Sequence, residues 1–241
     1  MNKIFYLFAF LVFINCDKKE TISGSSIVKK SIEKHGGINS WNSLKKLSFD
    51  KRVVLFLEDG SIENESLQHQ EYTFLPELEG QISWKKQLDV FLITYKNGEI
   101  KKYLNDSLIS DVKELQSAKN SFFASQYVTT KPFDLLSSKT KLIYTKIKEF
   151  EGKRAYEVKV EYENDTEKSD VWFYYFDVNT FKVIANKVVL SDHTSLVDNH
   201  TFNTETEFIF NEHRKSYRLN ELGEKTFLRA EYFYSNYKTS F

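Results

Sequence analysis

Cysteine is almost missing from this chain. Its 241 residues include one, Cys16, so no intrachain disulfide can form and no cysteine cluster can hold zinc or do redox work. Proline (2) and glycine (8) are also scarce, which leaves few forced breaks and favours long strands joined by Asn and Asp turns. Excess charge of either sign is missing too, since Lys+Arg and Asp+Glu both number 34. A balanced chain lacks the basic footprint that neutralises phosphates, so no nucleic-acid partner is expected. No apolar run is long enough to span a bilayer; the longest, residues 4–14, is roughly half of what a spanning helix needs. What is abundant is aromatic. There are 21 Phe and 14 Tyr among 41% apolar residues, enough to bury a sizeable core and to exclude wholesale disorder.

The chain starts MNKIFYLFAFLVFINCDKKE, with Lys3 ahead of the apolar run and Asn15-Cys16 behind it. That pattern reads as a signal peptide over residues 1–15. A cysteine directly after such a core resembles the acceptor residue of bacterial lipoproteins, although Phe13 and Asn15 depart from the Leu and small residue favoured there. The resemblance implies lipidation of Cys16, and two acyl chains anchor a protein stably where one does not. The other reading is an ordinary secretory signal with an incidental thiol. Residues 16–24 then form a polar tether, and residues 25–241 one folded domain. The expected location is the bacterial cell envelope, anchored in the outer membrane on its periplasmic or surface face.

Ser25 or Ser26 can cap a first helix running to about His35, with Val28, Ile32 and His35 on one face. Gly36 can take the left-handed position that stops it. Asn39 or Ser40 can cap a second turn carrying Trp41 and Leu44. From Leu47 the period becomes two. Strands are expected around the turn Glu58-Asp59-Gly60-Ser61 and around Asn97-Gly98, the strongest hairpin signal present. Residues 107–124 read as a helix on the edge of the sheet, and KPFDLLSS as a helical turn. Further strands follow, including residues 201–213 as one run. Tyr156, Val158, Val160 and Tyr162 alternate with Glu157, Lys159 and Glu161, which places the acids on a watered face. By contrast VWFYYF (residues 171–176) is apolar on both faces, as in a strand covered twice or lining a cavity.

A helix ending in Gly-Gly, a Trp four residues on and then a long antiparallel sheet resembles the LolA/LolB-like superfamily of bacterial lipoprotein carriers. IEKHGGINSWNSLKKLSF, YYFDVNTFKVIANKV and KPFDLLSS carry the likeness. It implies a mainly β (α+β) fold. That fold is an open antiparallel half-barrel, with an N-terminal helix and an inserted helical segment covering the concave face. In the characterised carriers the cavity takes lipoprotein acyl chains without a cofactor or covalent chemistry. By that likeness this chain is a monomer with no cofactor and no catalytic residue, whose partners are a membrane and lipid or lipoprotein acyl chains. Two departures stand out. No stretch matches the exposed apolar loop of receptor-type members. None of Arg52, Arg154, Arg214, Arg218 and Arg229 matches the lid-holding arginine of carrier-type members.

Within this frame His35, Gly36, Gly37 and Trp41 read as a structural corner, with the helix dipole favouring a charged His35. A phosphate cradle needs a strand before its glycines and a helix after them, the reverse of the order here. Trp84, Phe91, Tyr95, Trp172, Tyr174 and Phe176 are the candidates for cavity lining, and core packing explains each equally well. Residues 122–127 could belong to a lid or to a core helix face.

No metal site is expected. Residues 192–200 gather Asp192, His193, Asp198 and His200, and read best as a polar loop. Glu205 and Glu207 read as a solvated strand face. Three functions stay open: a binding module for acyl chains, an envelope scaffold with a filled core, and a hydrolase. The last would bring residues 192–200 together with His69 or His213 in a cleft.

Overall fold

The structure is a computed structural model and describes residues 22–166 and 168–241. The expected signal peptide, Cys16 and most of the tether lie outside the described residues.

Two antiparallel meanders make up the sheet. The first contains β1 (Lys46–Phe56), β2 (Ile62–Thr73), β3 (Glu79–Lys86), β4 (Asp89–Lys96), β5 (Glu99–Leu104) and β6 (Ser107–Ile109). The second contains β7 (Thr140–Phe150), β8 (Lys153–Tyr162), β9 (Val171–Asp177) and β10 (Val183–Val189). It continues through β11 (Thr194–Asn203), β12 (Phe210–Leu219) and β13 (Lys225–Ser240). Pairing of β1 with β13 joins the two into one 13-stranded open sheet with β6 and β7 at opposite edges. This is the open half-barrel expected from the sequence.

Because β6 and β7 are consecutive in the chain but at opposite edges, their connection has to cross the sheet. Helix α3 (Val112–Thr130) makes that crossing. Phe122 near its middle packs on Tyr72 and Tyr95, at 5.4 and 5.1 Å between ring centroids. One turn on, Tyr127 meets Trp172 of β9 at 5.1 Å. The helix therefore lies over the inner face rather than at the edge expected for residues 107–124. The reason is local. Asn105 and Asp106 both take positive φ and turn the chain into β6, so residues 107–109 pair with β5. Asp111 then caps α3, its carboxylate accepting from the Glu114 N–H at 2.9 Å.

Helix α1 (Gly24–Lys34) covers the other half of the inner face, burying Ile27, Val28 and Ile32. Its cap is Ser23, ahead of the expected Ser25 or Ser26. Ser23 and Ser26 exchange side-chain to backbone hydrogen bonds at 3.1 and 3.0 Å, a reciprocal capping box. Helix α2 (Ile38–Ser43) has Gly37 at its cap with no side-chain bond, so neither Asn39 nor Ser40 caps it. A 3-10 turn (Phe133–Leu136) follows α3.

Three strand expectations change. Residues 201–213 are two strands, since the chain leaves the sheet after Asn203 and rejoins at Phe210. The Ile209 N–H donates to the His35 carbonyl at 3.1 Å, and Phe208 is buried against the helical corner. Glu205 and Glu207 sit in this excursion, not on a strand. Glu157 does not face water; it is buried, accepting from Thr145 at 2.7 Å and Tyr175 at 2.9 Å. Tyr175 belongs to a small cluster with Phe150, Ala155, Ile184 and Leu196. That cluster, on the face opposite Trp172, Tyr174 and Phe176, is why residues 171–176 are apolar on both sides.

Candidate functional site

Between α3 and the inner face of the central strands lies a cavity of about 770 Å³. Trp84 of β3 and Trp172 of β9 form its flanks, with Ile82, Ile93, Val188 and Val197 beside them. Small α3 residues roof it. Ala118, Ser121 and Ala124 recur on one face of the helix, where larger side chains would fill the space.

The other residues expected to line a cavity are placed differently. Phe91 stands behind Trp84, stacked at 5.0 Å and 6°. Tyr95 packs under Phe122 and Phe123. Tyr174 is buried beside Trp172, lining a smaller void of about 20 Å³ that shares Tyr127, Asn186 and Arg214 with the main cavity. Phe176 lies in the core.

Polar residues on the cavity wall were missed by sequence reasoning. Lys51 donates to Ser125 Oγ at 3.1 Å. Its ammonium lies over Tyr232 and Tyr234, 5.3 and 6.0 Å from their centroids. Burial, and next the charge of Arg214, pull its pKa down to about 8. Arg214 is 6% exposed and donates to Asn199 Oδ1 at 2.8 Å and Asn186 Oδ1 at 2.9 Å. It is thus held by side chains of β10 and β11. A signal for Lys51 did exist: it falls in the inward phase of β1, between Phe49 and Val53, where apolar residues are the rule.

At the corner, α1 ends in a Schellman motif. The Gly37 N–H bonds the Ile32 carbonyl at 2.9 Å and the Gly36 N–H that of Glu33 at 3.4 Å. Trp41 stacks on Phe133 at 4.3 Å and 1°, and meets Phe74 and Phe208 at its edges. His35 is not charged as expected. It is 3% exposed, its Nδ1 lies 2.8 Å from the Ser31 carbonyl, and burial lowers its pKa to about 4. The sign follows directly. The unfolded chain takes up a proton below about pH 6.5 that the folded chain refuses, so this contribution is complete above 6.5 and lost towards 4. Asp198, pushed up to about 6 chiefly by burial, works in the opposite sense over the same range. The readout is therefore a difference. Urea unfolding at pH 7 and pH 5 should show wild type losing about 1–2 kcal/mol more than His35→Asn on acidification. Equal losses in both proteins would contradict a neutral buried imidazole.

The 192–200 group disperses. Asp192 and His193 pair with each other at 2.8 Å ahead of β11. Residues 194–200 are strand, not loop, which puts Asp198 and His200 on the outer face. Glu151, Asp198 and His200 come close enough there to present ligand atoms to a cation, but Lys225 already bonds both carboxylates. His200 stacks on His213 at 5.3 Å, and His213 on Phe233 at 4.5 Å. His69 is elsewhere, bonded to Asp50 and Glu71. Leu88, in the turn between β3 and β4, stands 96% exposed.

A 13-stranded half-barrel roofed by a crossing helix matches solved structures along nearly its whole length. One is a LolA superfamily protein from Nitrosomonas europaea, with TM-score 0.54, 7% identity and coverage of 90% of this chain and 93% of that one. The fold is that of the LolA superfamily. A DUF1329 family protein from Desulfovibrio piger aligns with TM-score 0.56 and 8% identity over 89% of this chain and 92% of its own. A domain assigned to outer membrane lipoprotein sorting, from Vibrio parahaemolyticus, aligns with TM-score 0.54 and 10% identity, over 90% and 92%. No family model matches the sequence, and no curated protein matches it. The LolA-like fold is thus held by a sequence far from these relatives.

Proposed function

We propose that this protein is a lipid-anchored component of the bacterial envelope, acylated at Cys16, that holds acyl chains or another apolar ligand as a lipid or lipoprotein carrier. The observation that carries the reading is the cavity of about 770 Å³ between α3 and the sheet. Its volume falls within the roughly 300–1,000 Å³ typical of small-molecule sites, and its flanks are tryptophan and aliphatic side chains. The rival reading, a scaffold with a filled core, has no use for such a space. The LolA-like fold supports the carrier reading because two of its relatives are named for that superfamily and for lipoprotein sorting.

The test uses residues 16–241 carrying Cys16→Ser, purified without detergent and examined by native mass spectrometry. The expected result is an adduct of fatty-acid or lipid mass. Ser121→Trp together with Ala124→Trp, both at the helix face that roofs the cavity, should reduce adduct occupancy by about tenfold while the circular dichroism is unchanged. A bare mass that takes up no added fatty acid or phospholipid would refute the carrier reading and favour the scaffold.

A further inference from the structure

The charges on the cavity wall are one-sided. Lys51, Lys102 and Arg214 line the cavity, and no Asp or Glu does so among the described residues. Lys102 is already neutralised, its ammonium 2.6 Å from Glu114. Lys51 and Arg214 are not. Among the described residues their hydrogen-bond partners are neutral: the Ser125 hydroxyl for Lys51, and the side-chain amides of Asn199 and Asn186 and the Tyr234 phenol for Arg214. Buried cations are ordinarily matched by a carboxylate, because an unmatched charge away from bulk water is costly. Here Arg214 is buried and Lys51 half-buried at one cavity wall, near enough for Arg214 to depress the ionisation of Lys51.

Their placement is convergent. Lys51 pairs with Tyr234 across β1–β13, and Arg214 with Tyr232 across β12–β13. The two residues thus flank β13 on the inner face, their backbones about 12 Å apart across two strand spacings and two residues along the strand, within reach of one small anion between their long side chains. Tyr232 and Tyr234 fill the floor between them. Among the described residues the phenol oxygens of Tyr127 and Tyr174 are buried without a hydrogen-bond partner, and both side chains line the small void next to Arg214. Tyr174 is 1% exposed. At the main cavity an arginine with N–H donors to spare, an ammonium and the Tyr127 hydroxyl are a donor-rich set, while Tyr174 lines only the small void beside Arg214.

We propose that the floor of the cavity binds an anionic head group through Lys51 and Arg214, so that the ligand is an anionic amphiphile, a carboxylate or phosphate monoester at the end of an acyl chain. This deepens the carrier reading and rests on it. The anion takes charge-assisted hydrogen bonds from both cations at the sheet centre, and the chain lies along Trp84 or Trp172 towards the flanks. Binding removes the repulsion between Lys51 and Arg214. The site selects against neutral lipids of the same length, because these would leave both cations unmatched.

The experiment is isothermal titration of residues 16–241 (Cys16→Ser) with hexadecanoate, hexadecyl phosphate, hexadecanol and inorganic phosphate, the lipids kept below their aggregation limits. Wild type should bind at least one of the two anionic amphiphiles about tenfold or more tightly than hexadecanol, and inorganic phosphate only weakly. The tighter of the two names the head group. In Lys51→Met that preference should shrink to about threefold or less while hexadecanol binds at least as tightly as to wild type, which shows the cavity intact. Lys51→Arg should restore the preference. Equal affinity of hexadecanol and both anionic amphiphiles in wild type overturns the head-group site and leaves the carrier reading standing. An unchanged preference in Lys51→Met does the same. Inorganic phosphate binding as tightly as hexadecyl phosphate overturns the amphiphile in favour of a free anion. Failure of every lipid to bind overturns the carrier reading itself, and the head-group site with it.

Discussion

Gly36→Ala should destabilise the protein by about 3 kcal/mol or more, although it adds one methyl group. Two costs combine at this position. Its φ of +124° is one that side-chain-bearing residues rarely adopt, and a Cβ there would lie 2.6 Å from Phe208 Cδ1 and 2.7 Å from the Glu207 carbonyl oxygen. Neither neighbour can yield cheaply. Phe208 is fully buried and meets Trp41 and Phe133 edge-on at 5.7 Å each. The backbone of its loop is tied to α1 by the Ile209–His35 hydrogen bond. Gly60→Ala is the control. Its φ is +84°, but a Cβ would meet nothing within 4 Å, so about 1 kcal/mol is expected. Urea unfolding of both variants decides the matter. If Gly36→Ala loses no more than Gly60→Ala, conformation alone demands the glycine, and the close approach of the corner to Phe208 contributes nothing.

Lys51→Met should have the opposite sign, stabilising the ligand-free protein by about 1–3 kcal/mol at pH 7. Burial first, and the Arg214 charge second, lower the folded-state pKa of Lys51 from 10.5 to about 8. The unfolded chain therefore holds the proton more firmly. The resulting penalty on the folded state is full below pH 8 and relieved as pH rises from 8 towards 10.5. The gap alone corresponds to roughly 3 kcal/mol, and water entering the cavity brings the expected value below that ceiling. The gain from Lys51→Met should accordingly fall by half or more between pH 7 and pH 9.5, measured by urea unfolding of the two proteins side by side. A methionine variant less stable than wild type at pH 7 would mean that the cation-π contacts and the Ser125 bond outweigh the burial cost. A stabilised variant that no longer prefers anionic lipids would mark Lys51 as a residue kept for binding at the expense of folding.

Much of the architecture was legible in residues close together in the chain. Asn97-Gly98 turns β4 into β5 with both φ values positive, as that pair prefers. Asp177 closes the β9–β10 connection by accepting from the backbone of Asn179 and Thr180 at 3.0 and 2.7 Å. Gly36 and Gly37 stop α1 by bonds that reach back only one turn and a half. Each of these acts within a few residues, so composition and spacing suffice to find it. Local reading failed where a distant partner intervened. Glu157 alternates like a solvent-facing acid, but Tyr175, from another strand, buries it. The dipole at the end of α1 favours a charged His35, yet the loop from Glu205 to Ile209 helps enclose that position and desolvation wins.

The candidate site divides along the same line. The class of the fold and a cavity beneath its helices were implied by the family resemblance, and Trp84 and Trp172, two of the six residues for which lining and core packing were open, stand at the cavity wall. Lys51 was visible as a cation in an apolar phase, but nothing near it in the chain says whether an acid answers it. Arg214 lies 163 positions away (214 − 51) and enters the same enclosure only because β1 and β13 pair at the middle of the sheet. Pairing between the first and last strands depends on closing nearly the whole chain, and side-chain periodicity carries no record of which strand will be the neighbour. Where the charges meet, and what is left unmatched there, was decided by tertiary structure alone.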